Sequence, residues 1–574
     1  MIKIIRRTIP DHNPLAESGF SNLVQQLYLS RGITDLQQIS YSLQHLLKPQ
    51  KLSGIKAAAK LVIEAIKTNK KIVIVGDFDA DGATATALCL RAIRAFGHHN
   101  IDFLVPNRFD FGYGLSEQLI PLLQDMQTDL IITVDNGISS IDGTQAALDA
   151  GMQVIITDHH LQAEILPKAD AIVNPNLHGD EFPSKNLAGV GVVFYLLAEI
   201  RAQLTDTGYF NQKQIKSPNL AQWLDLVALG TVADMVSLDD NNRILVIEGI
   251  KRIKAGFTVA GIKALLKITG RELDKTTTET FGFVIAPRLN AAGRLEDMSI
   301  GIELLTTDDE NKALALAQEL DSINQQRKDI QKDMQIAADS VVKELDKIKK
   351  LPDGICLFHK DWHQGVVGLL ASKVKEKTNR PVIAFAPENE QSTLLKGSAR
   401  SIAGFHIRDA LVRIETNHPQ LMKKFGGHAM AAGLSIETEN YTKFRSIFAD
   451  LVSESLSEEQ RQHSILTDGE LDSINLCLAV AEELQEHGPW GQNFPAPLFD
   501  GWFNIIDKKE VGQGHTKLTL QTQDFSKRIG AIAFGLHPNK FKAEDGKNQL
   551  TYRLDINEFR GRKSLQLIVQ DIIC

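Results

Sequence analysis

The stretch Ile72-Val73-Ile74-Val75-Gly76-Asp77-Phe78-Asp79-Ala80-Asp81-Gly82 decides how the chain is read. Four β-branched residues in a row, with no polar alternation, form the kind of strand that is buried on both faces of a parallel sheet. Three carboxylates follow within five residues, and then an Ala- and Leu-rich stretch, 83–96, that reads as helix. Anions so close together oppose folding unless something cationic sits among them. A solvated acidic loop with an Asp helix cap is the plainer alternative for this stretch taken alone.

Working outward, the same grammar repeats. Short apolar runs at 101–105, 130–134, 154–157 and 171–173 read as strands, with helical segments between most of them. The expected fold class is therefore α/β, with a doubly wound parallel sheet. Asp135-Asn136-Gly137 follows the run at 130–134, and Asp158-His159-His160 follows the run at 154–157. The carboxyl ends of three strands thus carry hard or borderline metal ligands, at the edge where open α/β sheets bind ligands. Asp234, in Leu229-Gly-Thr-Val-Ala-Asp-Met-Val236, is a fourth candidate. Carboxylate with imidazole suits Mn²⁺ or Mg²⁺, whereas structural zinc favours thiolates. Two ions about 4 Å apart, sharing one carboxylate, activate water and stabilise both oxygens of an in-line displacement at phosphorus.

The remaining chain has a different character. Residues 309–349 contain no Gly or Pro and repeat apolar residues at three- and four-residue steps from Leu316 to Leu345, which predicts a long amphipathic connector helix. A second, smaller α/β block follows from Ile355, with Pro381-Val-Ile-Ala-Phe385 as a buried strand. Five short strand signals then appear at 502–506, 516–520, 529–534, 550–556 and 565–569, with Gly-rich turns, as in an OB-fold-like β-barrel. The expected boundaries are a helical lead-in at 1–52, the sheet domain at 53–305, the connector at 306–350, the second α/β domain at 351–458 and the barrel at 459–574.

With 574 residues the chain needs several cores, and 43% hydrophobic with 23% charged residues is a globular composition. No apolar run is long enough for a bilayer, and no apolar signal core follows the basic N-terminus, so we expect a cytoplasmic protein without membrane contact. Cys89, Cys356, Cys477 and Cys574 form no CxxC pair, which argues against a zinc knuckle or a disulfide framework. The net charge of −8 works against nucleic-acid binding only modestly, because metal-holding carboxylates are counted in it.

Asp158-His159-His160 resembles the signature of the DHH phosphoesterase superfamily. Within it, Gly76-Asp-Phe-Asp-Ala-Asp-Gly82, Asn107-Arg108-Phe109 with Gly112-Tyr113-Gly114, Pro287-Arg288-Leu-Asn290-Ala-Ala-Gly293-Arg294 and Gly426-Gly427-His428 are similar to the single-strand-specific 5′→3′ DNA exonucleases of bacteria. The resemblance runs over nearly the whole chain. It makes the first domain a DHH domain and the second α/β block a DHHA1-like substrate-binding domain. It implies that Asp79, Asp81, Asp135, His159, His160 and Asp234 bind two Mn²⁺ or Mg²⁺ ions, with Asp135 as the bridge, and that Asp77 and Asp158 orient ligands or water from behind them, direct metal binding by Asp77 being the alternative. Pyrophosphatase-like members carry a His four positions before the first Asp of their DxD pair. Here Val75 stands there, so a looser first metal is expected.

The resemblance also assigns the substrate side. Arg108, Ser398 and Arg400 are expected on a 5′-terminal phosphate, His363 and His428 on phosphates near the cut, and Tyr113, Arg288, Asn290, Arg294 and Gly427 among the substrate contacts. A guanidinium fork suits phosphate and aromatic rings suit bases; a packed turn at 106–114 and surface ion pairs at Arg288 and Arg294 are the plainer readings. The expected function is a single-stranded-DNA exonuclease that releases 5′-mononucleotides in recombination and repair, most simply as a monomer. Single-strand-binding protein and a RecQ-type helicase are the implied partners. One rival is a DHH oligoribonuclease, cyclic-dinucleotide phosphodiesterase or pyrophosphatase, the last of which has no need of a barrel carrying Lys517, Lys527, Arg528, Arg560, Arg562 and Lys563; the other is a non-enzymatic DNA-binding scaffold, against which all six implied metal ligands are present.

Overall fold

The computed structural model describes residues 3–106, 114–346, 351–365, 367–389, 392–427, 429–461, 464–512, 514–541 and 547–573, with backbone alone for 333–346, 459 and 461. The chain divides into two units: His12–Gln325 with His487–Ala496, and Met1–Asp11 with Gln326–Glu486 and Pro497–Cys574.

The first unit is built on five parallel strands: β1 (Ile72–Gly76), β2 (Ile101–Leu104), β3 (Leu130–Val134), β4 (Gln153–Thr157) and β5 (Ala171–Val173). Their order is β2-β1-β3-β4-β5. The chain leaves β1 to one side and returns on the other, so a topological switch lies between the carboxyl ends of β1 and β3. β1 and β3 are buried along their whole length, which explains why their sequences show no alternation. Helices α1 (Ala80–Ala95), α2 (Gly189–Asp206) and α3 (Leu224–Ala233) pack on one another beside this edge. α1 begins three residues before the sequence-based start at Ala83, because Asp79 caps it by accepting from the backbone N–H groups of Asp81 and Gly82.

A late stretch of chain completes this unit. Trp490 and Phe494 stack at 5.3 Å between centroids, 14° from parallel. Arg31 lies 5.2 Å over Trp490 and Arg243 4.4 Å over Phe494, both cation–π distances. Tyr28 donates its hydroxyl to the carbonyl of His487 at 2.8 Å, and Leu238 N–H donates to the carbonyl of Gln492 at 2.9 Å.

The second unit holds a mixed sheet and a barrel. Strands β6 (Ile355–Phe358), β7 (Val382–Pro387), β8 (Leu394–Arg400), β9 (Lys424–Gly427) and β10 (Ala431–Glu437) lie in the order β9-β10-β8-β7-β6, with only β6 and β7 parallel. Five longer strands, Phe499–Val511, His515–Thr522, Arg528–Ala533, Lys547–Phe559 and Arg562–Ile572, close into a barrel. The expected lead-in is not wholly helical: Lys3–Arg6 is a strand, paired in parallel with Ser464–Thr467, and Arg6 forks onto the buried Asp500 at 3.1 and 2.7 Å. Four residues are too few to show a period, and their partner lies far along the chain. The long helix spans Glu310–Asp346. No helix among the described residues is long and apolar enough to cross a membrane.

Candidate metal centre

Each acidic motif is fixed by backbone geometry. Asp77 leaves the end of β1 and accepts from the Phe78 N–H at 2.7 Å. Asp81, in the first turn of α1, accepts from the Gly189 and Val190 N–H groups at 2.6 and 3.0 Å, so the positive end of α2 holds its carboxylate. Asp135 takes φ +62° at the end of β3, a left-handed conformation that a non-glycine residue adopts at a cost and that recurs at functional sites. The approach of α2 demands glycine at 189: a Cβ there would lie 2.5 Å from Asp135 Cβ.

Asp158 organises the histidines. Its Oδ1 accepts from the backbone N–H groups of His159 and His160 at 2.7 and 3.0 Å and sits 2.7 Å from His160 Nδ1; its Oδ2 accepts from Ile138 N–H at 2.9 Å. It thus fixes the ring and leaves Nε2 for a ligand role. Asn174 and Asn176 donate to the carbonyls of His160 and His159. His159 Nε2 lies 3.0 Å from Asp135 Oδ1 and 3.5 Å from Asp234 Oδ2. Asp234 follows no strand and caps the carboxyl end of α3.

Three sets of donors meet among the described residues: Asp77–Asp79–Asp135, Asp135–His159–His160 and Asp81–His159–Asp234, each with ligand atoms within 4.8 Å of one another. Asp135 and His159 each belong to two sets, and of the two only the carboxylate has the pair of oxygens with which to bridge two ions. Burial first, and then the neighbouring carboxylates, push Asp77, Asp135 and Asp234 well above the ordinary range. The same causes push Asp81 up to about 7. Burial, the largest single effect, would lower His160, yet its hydrogen bond to Asp158 and the charges of Asp158, Asp234 and Asp77 together outweigh that and raise it to about 9. Burial, again the largest single effect, would raise Asp158, but its hydrogen bonds with His160 and the charges of His160 and His159 together outweigh it and lower it. So dense a buried anionic cluster, with imidazole but no thiolate, fits two hard divalent cations. Asp77, two residues beyond Val75, offers a donor within 4.8 Å of those of Asp79 and Asp135.

The other sequence-based candidates fall in separate places. Arg108 and Tyr113, and likewise His428, lie outside the described residues. Asn290, on the helix Ala286–Leu295, accepts from the Ala80 N–H at 2.7 Å and so braces the acidic loop. Arg288 on that helix is engaged by Asp321 at 2.8 Å and by the Val284 carbonyl at 2.6 Å, the plainer of its two readings. Arg294 is half-buried in its last turn. In the other unit, Arg400 Nη1 donates to Ser398 Oγ at 3.0 Å, both on β8. The helix Val367–Thr378 begins beside them: a Cβ on Gly368 would lie 2.8 Å from Arg400 Nη2 and 2.9 Å from Ser398 Oγ. A guanidinium, a hydroxyl and a helix N-terminus therefore converge, materials that suit a phosphate. His363 is exposed and accepts from Gly365 N–H at 3.1 Å, and Gly427 ends β9 at φ +144°. The Gly189 and Val190 amides and the Asn174 and Asn176 amides were missed. Asn174-Pro175-Asn176 directly after a strand was the available signal for the latter pair.

Comparison with known proteins agrees with this geometry. The model of the DHH family N-terminal domain matches residues 71–231, that of the DHHA1 domain 347–454, and that of the RecJ OB domain 467–571. The chain is 47% identical over 570 residues to the single-stranded-DNA-specific exonuclease RecJ of Escherichia coli, covering 99% of this chain and 98% of that protein. The crystal structure of RecJ from Thermus thermophilus in complex with Mn²⁺ matches at TM-score 0.81 and 27% identity, covering all of this chain and 80% of that one. The same protein in complex with Mg²⁺ matches at TM-score 0.75 and 25% identity, covering 100% and 78%. By the extent of that identity and by all three domain models, the chain belongs to the RecJ family of DHH phosphoesterases.

Proposed function

We infer that the chain is a metal-dependent exonuclease that degrades single-stranded DNA from its 5′ end and releases 5′-mononucleotides, in recombination and repair. The observation that carries this reading is the cluster at the sheet's switch point, in which Asp135 is shared between two donor sets. Asp77, Asp79 and Asp135 would hold one Mn²⁺ or Mg²⁺. His159 would hold the other, with Asp135 and His160 or with Asp81 and Asp234. Two such ions, when bound, supply Lewis-acid stabilisation of the phosphoryl oxygens and make an adjacent water acidic.

The chain's own groups do the positioning. Asp158 fixes the His160 ring, the α2 amides orient Asp81, and Asn290 holds the amide of Ala80. On the second unit, Arg400, Ser398 and the helix start at Val367 form the seat for a terminal phosphate. His363, His428 and Arg108 are further phosphate contacts in this reading. The barrel carries a groove of about 610 Å³ lined by Lys517, Lys527 and Arg528 among other residues, and its Phe525, Phe534 and Phe559 are exposed. Cations and exposed rings together make a single-strand track. Single-strand-binding protein and a RecQ-type helicase would supply such a substrate, and the cytoplasm, where bacterial DNA lies, is the compartment this activity requires.

The test is digestion of single- and double-stranded DNA labelled at either end, with Mn²⁺, with Mg²⁺ and with EDTA. A 5′ label on a single strand should appear first as mononucleotide, duplex should resist, and EDTA should abolish cleavage reversibly. Release from the 3′ end first, or preference for dinucleotides over long strands, would overturn the assignment.

A further inference from the structure

Two large apolar side chains, one next in sequence to a metal-cluster residue and one on a turn packed against the helix that ends there, are exposed without serving the core. Met235 follows the metal-cluster residue Asp234, is 69% exposed, and has φ +59°. Phe283 is 80% exposed on a π-helical turn, Phe281–Ile285. That turn packs against α3, whose carboxyl end carries Asp234; a Cβ on Gly282 would lie 3.8 Å from Val232 Cγ1. It runs on into the helix Ala286–Leu295, where Asn290 braces the acidic loop. A left-handed backbone at a long side chain and a π-turn are both locally unfavourable, and both concentrate at functional sites. Neither is needed to bury these side chains, since they are not buried.

We propose that Met235 and Phe283 form an apolar seat for the nucleobase next to the scissile phosphate, and that this seat admits only an unpaired base. A polarisable thioether and an aromatic ring present the surface that the flat face of a base meets. Within a duplex each base face is already covered by its neighbours in the stack, so it cannot lie on the seat without unstacking. The seat therefore discriminates at the cutting point itself, separately from any passage leading to it. The occupant is nucleic acid because the acidic centre next to it is a phosphoesterase site, and the inference rests on the single-strand exonuclease reading above.

The experiment compares steady-state kinetics of wild type, Phe283→Ala, Met235→Ala and the double variant. One substrate is a 5′-phosphorylated oligodeoxythymidylate, and the other is the same strand with abasic residues at its 5′ end. On the normal strand each alanine variant should raise KM about tenfold, the order of one lost base stack. On the abasic strand the wild type should already show the raised KM, with no further change in the variants, and Phe283→Tyr should behave as wild type. Mn²⁺ affinity by calorimetry should be the same in all of them. Equal effects on both strands, no effect on either, or a changed Mn²⁺ affinity would overturn the seat. A wild-type protein that degrades neither strand would instead sink the exonuclease reading, so the two failures are told apart.

Discussion

The two α/β sheets of this protein use one set of materials in opposite ways. In the first unit all five strands run parallel, so every carboxyl end lies on one edge, and the switch between β1 and β3 opens a gap there. That edge collects anions: Asp77, Asp135 and Asp158 arrive directly from strands. In the second unit three of the four strand pairings are antiparallel, and strand ends are divided between both edges. No comparable ligand cluster forms there among the described residues. A cationic corner forms instead, where the last residues of β8 meet the start of a helix at Arg400, Ser398 and Gly368. Parallel topology concentrates charge that needs cations to be stable, and mixed topology places a single cation against a helix dipole that needs an anion.

The contrast can be broken most severely at Asp135. Asp135→Ala removes the carboxylate common to two sets and should reduce kcat about a thousandfold or more, the loss of several kcal/mol of metal-based stabilisation. Circular dichroism should show an unchanged fold, and substantial Mn²⁺-dependent activity in this variant would refute the bridge. Asp158→Asn acts through His160 and should weaken Mn²⁺ affinity about 10- to 100-fold, with activity restored as Mn²⁺ is raised. Activity that stays lost at saturating Mn²⁺ would place Asp158 in contact with the reacting groups. Arg400→Ala tests the cationic corner. KM should rise about tenfold for 5′-phosphorylated ends and much less for 5′-hydroxyl ends, since a charge-assisted bond is lost only with the phosphate. Equal effects on both ends would remove the corner from end recognition. The smallest effect is expected at Asn290, where Asn290→Ala strips a hydrogen-bond acceptor from the Ala80 amide. The cost should be about 1 kcal/mol, seen as a fall of a few degrees in Tm, and an unchanged Tm would show that water replaces the acceptor.

What the sequence made legible was local. Strands β1, β3 and β5 read themselves from uninterrupted apolar runs, and the acids behind β1, β3 and β4 read themselves from their spacing. The sharing of Asp135 between donor sets was legible only through the family resemblance, because its local basis is φ +62° and the absence of a side chain at Gly189. The α2 amides that hold Asp81 lie in Gly189-Val190-Gly191-Val192, which reads only as an apolar helix start. Arg288 and Asn290 looked alike as substrate contacts, yet one is engaged by Asp321 and the other by a backbone amide of the metal loop. Partners so far apart in sequence leave no local period. The same holds for Lys3–Arg6, whose strand partner is at Ser464–Thr467. It also bears on experiment: a truncation from about residue 465 would remove that pairing and the segment 487–496 together with the barrel. Charge reversal at Lys517 and Arg528 is the cleaner way to test the single-strand track.

The stacked Trp490 and Phe494 carry a further consequence, for how the protein is made. The unit that holds the metal cluster takes its last packed segment from His487–Ala496, long after its main stretch, His12–Gln325, has been translated. Until those rings arrive, Tyr28, Arg31 and Arg243 face a place in which nothing is yet stacked. A ribosome that has just finished the whole acidic and histidine centre therefore carries an unfinished unit, and the nascent chain must keep that apolar hollow covered or harmless while the second sheet is synthesised.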